Sequence, residues 1–299
     1  MLVNEVVDLL RGRRRILDGT LGGGGHSHAL LEAGAEQVIG IDRDPDAIAA
    51  AEERLGDYAS SGRFSAIESN YADLGLVAAL EGMRFDGVLL DLGVSSHQFD
   101  APERGFTIRP GAPLDMRMGT DSYDTAAAVL NEENEATLTG IFKEFGDEPR
   151  GARLAREVVR RRTTKPFETS DDFVRAIRAV LGPRSGTPDF ARLFQALRIA
   201  VNNELAGLTR ALPALRDRLM PGGRLAVIAY HSGEDRIVKN EFREWSAACV
   251  CPPKQPICTC RGRPLGTTVT RRALTASEQE VLHNPRARSA RLRAWQSAA

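Results

Sequence analysis

Residues 17–28, Leu-Asp-Gly-Thr-Leu-Gly-Gly-Gly-Gly-His-Ser-His, limit the fold of this chain more than any other stretch. A short apolar run (Ile16, Leu17) ends in Asp18, and four consecutive glycines then lead into the apolar Ala29-Leu30-Leu31. This is the pattern of a strand that feeds a tight loop and opens a helix. Glycine is needed where a backbone takes positive φ and where a ligand must lie against the main chain itself. The next apolar run, Gln37-Val-Ile-Gly-Ile41, ends in Asp42. An acid roughly twenty residues past such a loop is placed to accept hydrogen bonds from the two ribose hydroxyls of a nucleoside. Together the two features predict an adenosine-containing cofactor. A glycine-rich turn with a purely structural role would not require Asp42 at this spacing.

The kind of cofactor follows from the glycine pattern. A dinucleotide site wants Gly-x-Gly-x-x-Gly, and runs starting at Gly22 or Gly23 place Ser27 or His28 where the third glycine belongs. S-adenosylmethionine lacks a pyrophosphate and needs only close backbone approach, which Gly22–Gly25 would permit. The loop therefore favours S-adenosylmethionine over NAD.

Four segments have the composition of buried parallel strands ending in a polar residue: Arg15–Asp18, Gln37–Asp42, Phe64–Ser69 and Asp86–Asp91. Helical patterns separate them, notably Pro45–Leu55 with Asp44 as its cap. Such alternation predicts a doubly wound α/β sheet with ligands at the carboxyl ends of its strands. From Leu114 to Ala191 no strand pattern is found. Helical stretches over Tyr123–Leu130, Asn134–Phe145, Arg150–Arg162 and Ser170–Leu181 are broken by Gly146, Pro166 and the Gly182–Pro188 loop. A long helix over Ala191–Leu219 should end at Pro221-Gly-Gly223, after which Arg224–Tyr230 resumes the sheet. The expected organisation is an α/β domain over 1–113 and 192–299, interrupted by an all-helical insertion over 114–191 that recognises the substrate.

Several side chains fall on the ligand edge of that sheet. Asp91 ends the fourth strand and faces the space beyond a cofactor, with Gly93, Ser95, Ser96 and Gln98 in the same short loop. Tyr71 follows the third strand, where a ring could stack on adenine or equally join the core. His231 follows the late strand and could orient a substrate, relay a proton, or serve structure alone. All four cysteines lie in Cys249-Val-Cys251 and Cys258-Thr-Cys260, with Pro252, Pro253 and Pro256 between them. Clustering suggests zinc, but C-x-C is less usual than C-x-x-C and no histidine is near, so zinc is left open and no metal is assigned.

With 27% charged residues and a formal net charge of zero, the chain has the composition of a soluble globular protein. No run approaches a membrane span. The N-terminal Met-Leu-Val-Asn-Glu-Val-Val-Asp-Leu-Leu reads as an amphipathic helix and not a secretory signal, which points to the cytoplasm. Within this neutral chain, basic residues cluster at Arg11-Gly-Arg-Arg-Arg15, at Arg153, Arg156 and Arg160 with Arg161, Arg162 and Lys165, and at Arg286, Arg288, Arg291 and Arg293. One such run is usually a solvated face, whereas three suggest phosphate contacts with RNA or DNA.

The chain resembles the bacterial 16S rRNA (cytosine-N4)-methyltransferases of the RsmH, or MraW, type. The matching stretches are Asp18-Gly-Thr-Leu-Gly-Gly-Gly-Gly-His-Ser27, Ile41-Asp-Arg-Asp-Pro45, Leu90-Asp-Leu-Gly-Val-Ser-Ser96, Glu103-Arg-Gly-Phe106 and Pro113-Leu-Asp-Met-Arg-Met118. Phe194-Gln-Ala-Leu-Arg-Ile199, Val201-Asn-Asn-Glu-Leu205, Pro221-Gly-Gly-Arg-Leu225, His231 to Lys239 and Asn284-Pro-Arg-Ala-Arg-Ser289 extend the match over nearly the whole chain. The resemblance implies a Rossmann-like class I methyltransferase sheet with an inserted helical domain. It also implies S-adenosylmethionine contacts at Gly24, Gly25, His26 and Asp42, with Tyr71 by the adenine and Asp91 and Gln98 beside the cofactor. The implied substrate is a decoding-site cytosine of small-subunit rRNA, met within an assembling 30S subunit. Departures from the family pattern are His97 in place of proline, Pro188-Asp-Phe-Ala-Arg192 in place of His-Pro-Ala-Thr-Arg, and Gly233 in place of leucine. The chain also starts inside a motif that relatives precede with a His-containing segment, which leaves open whether one site wall lies outside it.

Cytosine N4 is a poor nucleophile because its lone pair is delocalised into the ring. A carboxylate accepting a hydrogen bond from the amine would draw it toward tetrahedral geometry and then receive its proton. Asp91 or Asp115 is assigned that role, with His231 a weaker candidate. The base must leave its stack, so a pocket between the α/β domain and the insertion is expected. Three alternatives stand beside this reading: an NAD-dependent dehydrogenase, a methyltransferase acting on a small molecule or protein, and a non-catalytic RNA-binding module that keeps the cofactor fold. The sequence leaves the oligomeric state open, a homodimer included.

Overall fold

Strand β1 (Arg15–Asp18) pairs in parallel with β2 (Gln37–Asp42) on one side and with β4 (Phe85–Asp91) on the other. With β3 (Phe64–Glu68), β5 (Leu219–Ala229), β6 (Gly266–Thr268) and β7 (Arg291–Ser297) they form one seven-stranded sheet in the order β3-β2-β1-β4-β5-β7-β6. This computed structural model describes all residues except Tyr123, Pro253, Lys254 and Pro256, and leaves aside the side chains of Ser96 and His97. Expectations that fall on those positions lie outside the described residues.

Strands β1 to β5 run parallel, and β7 is antiparallel to both of its neighbours. Strand order reverses between β1 and β4, which is where an open α/β sheet leaves a crevice for a ligand. Alternation along the strands puts Leu17, Ile39, Val88, Leu90, Leu225 and Val227 in one core and Ile16, Val38, Leu89, Ala226 and Ile228 in the other. Both faces are covered, which explains the continuous apolar runs in the sequence. Helices Glu204–Asp217 and Ser232–Ser246 contribute Leu208, Leu212, Phe242 and Trp245 to the first core. Helices Val3–Leu10, Gly25–Glu32 and Pro45–Arg54 contribute to the second. As expected, Asp44 caps the last of these by accepting from the Asp46 N–H at 3.2 Å, with Pro45 in the first turn.

The chain divides into two compact units, Met1–Gly93 with Leu205–Ala299, and Val94–Glu204. The helical unit is therefore wider than the expected 114–191. Its added N-terminal stretch holds only short helical turns, which carry no amphipathic period to read. Its core joins helices Ala126–Glu132, Glu135–Gly140, Gly151–Arg162, Ser170–Leu181 and Thr187–Asn202 around Phe142, Phe173 and Phe194. Ring centroids lie 5.8 Å apart for Phe142–Phe173 and 5.3 Å for Phe173–Phe194. Each such ring contributes about 2 kcal/mol or more by leaving water.

Three local expectations are corrected. The single helix over Ala191–Leu219 is two helices, because Asn203 adopts φ +50 and breaks the hydrogen-bond ladder. Pro221-Gly-Gly223 does not end that helix. It forms an irregularity inside β5, where the register jumps from Phe85↔Leu219 to Gly87↔Arg224 and Gly222 takes φ +73. The stretch Asn134–Phe145 is an α-helix only to Gly140 and continues as a π-helical turn over Ile141–Phe145.

Candidate functional site at the carboxyl edge of the sheet

The loop after β1 is pinned to both neighbouring strands. The Gly19 N–H donates to Leu89 O and the Leu21 N–H to Ile41 O, each at 2.9 Å. Asp18 is fully buried and accepts from Ser27 Oγ at 2.7 Å and the Thr20 N–H at 3.3 Å. Burial pushes its carboxyl above the usual range, against the pull of His26 and the Ser27 hydroxyl. Gly22 and Gly24 adopt φ +50 and +73, a conformation that glycine takes without strain. Gly23 has neither constraint: its φ is not positive, and a side chain there would meet nothing within 4 Å. Its bare backbone leaves room for a group that is not part of the chain.

Asp42 leaves the end of β2 and holds this loop. Its Oδ2 accepts from the Gly22 N–H at 2.7 Å and its Oδ1 from the Asp44 N–H at 3.0 Å. Burial pushes the Asp42 carboxyl up, partly offset by these backbone donors. A carboxylate has about four acceptor positions, and the backbone N–H groups of Gly22, Asp44 and Arg43 take three of them, so one remains for a ribose hydroxyl.

Asp91, at the end of β4, is the centre of the site. Its Oδ1 accepts from Tyr230 Oη at 2.7 Å, and its Oδ2 lies 3.2 Å from His26 Nε2. Its own N–H donates to Thr20 Oγ1 at 2.5 Å. Three elements thus converge on one carboxylate: the glycine loop through Thr20 and His26, β4 itself, and the residue following β5. Burial and the neighbouring Asp91 charge push the Tyr230 phenol far above its ordinary value, so it stays protonated and donates. His26 Nδ1 is buried without a hydrogen-bond partner among the described residues. That orphaned nitrogen, open Gly23 and the spare acceptor position of Asp42 fit S-adenosylmethionine, with its ribose and polar amino-acid end.

His231 serves a different purpose. Its Nδ1 accepts from the Gly233 and Glu234 N–H groups at 3.2 and 3.4 Å and caps helix Ser232–Ser246. Glu234 in turn accepts from the Tyr230 and His231 N–H groups and sits 3.1 Å from His231 Nε2. With Nδ1 capping the helix and Nε2 beside Glu234, His231 is a positioning residue that fixes the chain next to Tyr230. Tyr71 follows β3 and packs, half-buried, against the first core.

In the helical unit, Gln98 is spent internally. It donates to Met118 O at 3.1 Å and accepts from the Ser95 N–H at 3.0 Å. Asp115 is gripped by Arg117, whose Nε and terminal nitrogen reach it at 2.9 and 2.8 Å. Burial would raise the Asp115 carboxyl, but these bonds outweigh it and hold it below the usual range. A base so paired is poorly suited to receive a proton. The surrounding Pro113–Met118 stretch is clamped by Asn202, which accepts from the Met118 N–H at 2.9 Å and donates to Met116 O at 2.8 Å.

Some arginines of the basic clusters also serve the fold. Arg11–Arg15 leads into the start of β1, at the sheet edge opposite Asp91, where Arg14 pairs with Glu36 and Arg13 bonds Gly222 O. In the tail, Arg293 forms a two-pronged pair with Asp235 at 2.7 and 3.0 Å, a fold contact and not a free cation. Of the helical cluster, Arg156, Arg160 and Arg161 are paired with Glu135 or Glu157. The Glu157 pairs follow the i, i+3 and i, i+4 spacing within one helix, whereas Glu135 lies on another helix and spacing cannot show it. Tyr230 and Thr20 were missed. The signal for Tyr230 was its place directly after an apolar strand, where His231 drew the attention.

The chain is similar over its whole length to proteins of one family. Residues 1–298 match the model of the MraW methylase family. Ribosomal RNA small subunit methyltransferase H of Gemmatimonas aurantiaca is 63% identical over 298 residues, covering 100% of this chain and 94% of that protein. The protein of the same name from Heliobacterium modesticaldum is 46% identical over 303 residues, covering 98% and 96%. An rRNA methylase from Streptococcus thermophilus, solved as a crystal structure, covers 99% of this chain and 94% of its own, with a TM-score of 0.43 and 11% identity. At that distance the likeness carries no argument.

Proposed function

The chain belongs to the MraW methylase family, and on that premise we propose that it transfers a methyl group from S-adenosylmethionine to the N4 amine of a decoding-site cytosine in small-subunit rRNA. The names of its curated relatives support the rRNA substrate, and membership of a methylase family sets aside the dehydrogenase alternative. One observation carries the chemistry: the Asp91 carboxylate, oriented by Tyr230 and adjoining His26, stands at the strand end beside the glycine loop.

In this reading Gly24, Gly25 and His26 receive the amino-acid end of the cofactor, Asp42 its ribose, and Tyr71 borders its adenine. Bound there, S-adenosylmethionine supplies an electrophilic methyl carbon on a sulfonium. Asp91 accepts a hydrogen bond from the cytosine amine and takes its proton as the nitrogen–carbon bond forms and the carbon–sulfur bond breaks. Tyr230 holds Asp91 Oδ1, so Oδ2, with His26 Nε2 3.2 Å away, is the working oxygen. Asp115, neutralised by Arg117, shapes its own loop instead, and Gln98 braces the same stretch. Alignment of nitrogen, carbon and sulfur is the main source of rate in such a displacement. The setting is the cytoplasm, on an assembling 30S subunit.

The test incubates the protein with labelled S-adenosylmethionine and immature small subunits from a strain lacking this enzyme. N4-methylcytosine in the nuclease digest is the expected product. Label in another nucleoside would move the acceptor, and an unlabelled digest would overturn the proposal.

A further inference from the structure

The four cysteines converge although they come from two separate pairs. Between helix Ser232–Ser246 and β6, the loop brings all four sulfurs within 4.8 Å of one another. Cys258 Sγ lies 3.8 Å from Cys249, 3.7 Å from Cys251 and 3.5 Å from Cys260, and Cys249 lies 3.8 Å from Cys260. A tetrahedral zinc with four sulfurs at about 2.3 Å spaces neighbouring sulfurs at about 3.8 Å. We propose that Cys249, Cys251, Cys258 and Cys260 bind one zinc ion in a closed, structural tetrathiolate site.

Two further observations support a single ion. Cys258 is nearly equidistant from the other three sulfurs, so no pair is singled out as a disulfide would require. An iron–sulfur cluster would hold its thiolates farther apart, because the inorganic core lies between them. Among the described residues of the loop, the large apolar side chains are exposed: Ile257 is 75% exposed and Val250 37%. Small segments without a core depend on a cross-link of this kind. The Val250 N–H points to Cys260 Sγ at 3.4 Å, the kind of backbone donor that steadies a metal thiolate. Arg261 ties the second pair to the end of helix Ser232–Ser246 through Glu244 O and Ala247 O. All four positions are filled by protein, so the ion holds the loop and takes no part in the reaction.

The full chain, purified under reducing conditions without chelator after growth with zinc, is expected to carry about one zinc per chain by elemental mass spectrometry. X-ray absorption should show four sulfurs at about 2.3 Å. Cys258→Ser and Cys251→Ser should each lower zinc content at least fivefold while the buried tryptophans keep their native fluorescence. A chain holding under a tenth of an equivalent, with four freely titrating thiols or two disulfides, would overturn the site. So would one iron per chain in place of zinc. These readouts are independent of methyl transfer, so the site stands or falls separately from the proposed reaction.

Discussion

Buried acids are treated in opposite ways in the two units. In the helical unit each is matched to a cation: Glu148 to Arg192 at 2.7 Å, Asp172 to Lys165 and Arg175, Glu204 to Arg198 at 2.9 Å. Along the carboxyl edge of the sheet, Asp18, Asp42 and Asp91 have no arginine or lysine partner among the described residues. Backbone N–H groups, hydroxyls and an imidazole hold them instead. Buried carboxylates without a counter-cation raise the cost of ionisation, and such groups cluster where a ligand supplies what the protein omits. On the proposed reaction, the contrast separates acids that hold the fold from acids kept available for a cationic cofactor and a proton.

The sharpest way to break this contrast is to neutralise one acid of each kind. Asp91→Asn should lower methyl transfer about 1000-fold with little change in stability, measured by single-turnover assay and denaturant unfolding. Asp115→Asn should cost less than tenfold in the same assay, and equal losses would erase the distinction. Next in size, Arg198→Met leaves Glu204 buried without its partner and should destabilise the chain by about 3 kcal/mol in urea titration. A smaller effect is expected of Asp42→Asn. It should weaken S-adenosylmethionine binding about tenfold by calorimetry while leaving turnover at saturation nearly intact.

Acid provides the mildest test. The Arg160 hydrogen bond, with help from Arg161, lowers the Glu157 carboxyl to about 2, and Asp172 and Glu148 are also lowered. A lowered acid stabilises the fold above its unfolded pKa, and that support is lost as pH falls through the folded value. Asp18 and Asp42, both raised, act the other way: their contribution is present below the unfolded pKa and is lost as pH rises. Between about pH 5 and 2 the helical unit should therefore weaken first. Both tryptophans, Trp245 and Trp295, are buried in the α/β unit. Helical circular dichroism should accordingly fall at higher pH than the tryptophan signal, and coincident transitions would refute the contrast.

The parallel strands were legible because each is buried on both faces and punctuated by a glycine or an acid. β1 and β2 match their expected limits and β4 starts one residue earlier. β7 was not legible, since Arg-Leu-Arg-Ala-Trp-Gln-Ser alternates charge with apolar residues and looks like a basic tail. Only its pairing with β5 shows Leu292, Ala294 and Trp295 to be core. Asp42 and Asp91 were found because they end strands. Which acid is left without a cation depends on partners distant in the chain, as with Arg192 and Glu148, 44 residues apart. Local pattern cannot supply that. The same limit hid the convergence of the cysteines, whose C-x-C spacing says little until the loop folds back.

The order β4-β5-β7-β6 has a consequence for synthesis of the chain. The helical unit is contiguous and has all its residues once Glu204 has been made, so it can fold while translation continues. The sheet cannot close until residues 291–297 have emerged, because β7 must slide between β5 and β6. Until then one side of β5, the strand that carries Tyr230 to Asp91, is an unpaired edge. A nascent chain stalled before residue 291 would thus carry a complete helical unit and an open sheet edge, the kind of exposed strand that invites pairing with another chain.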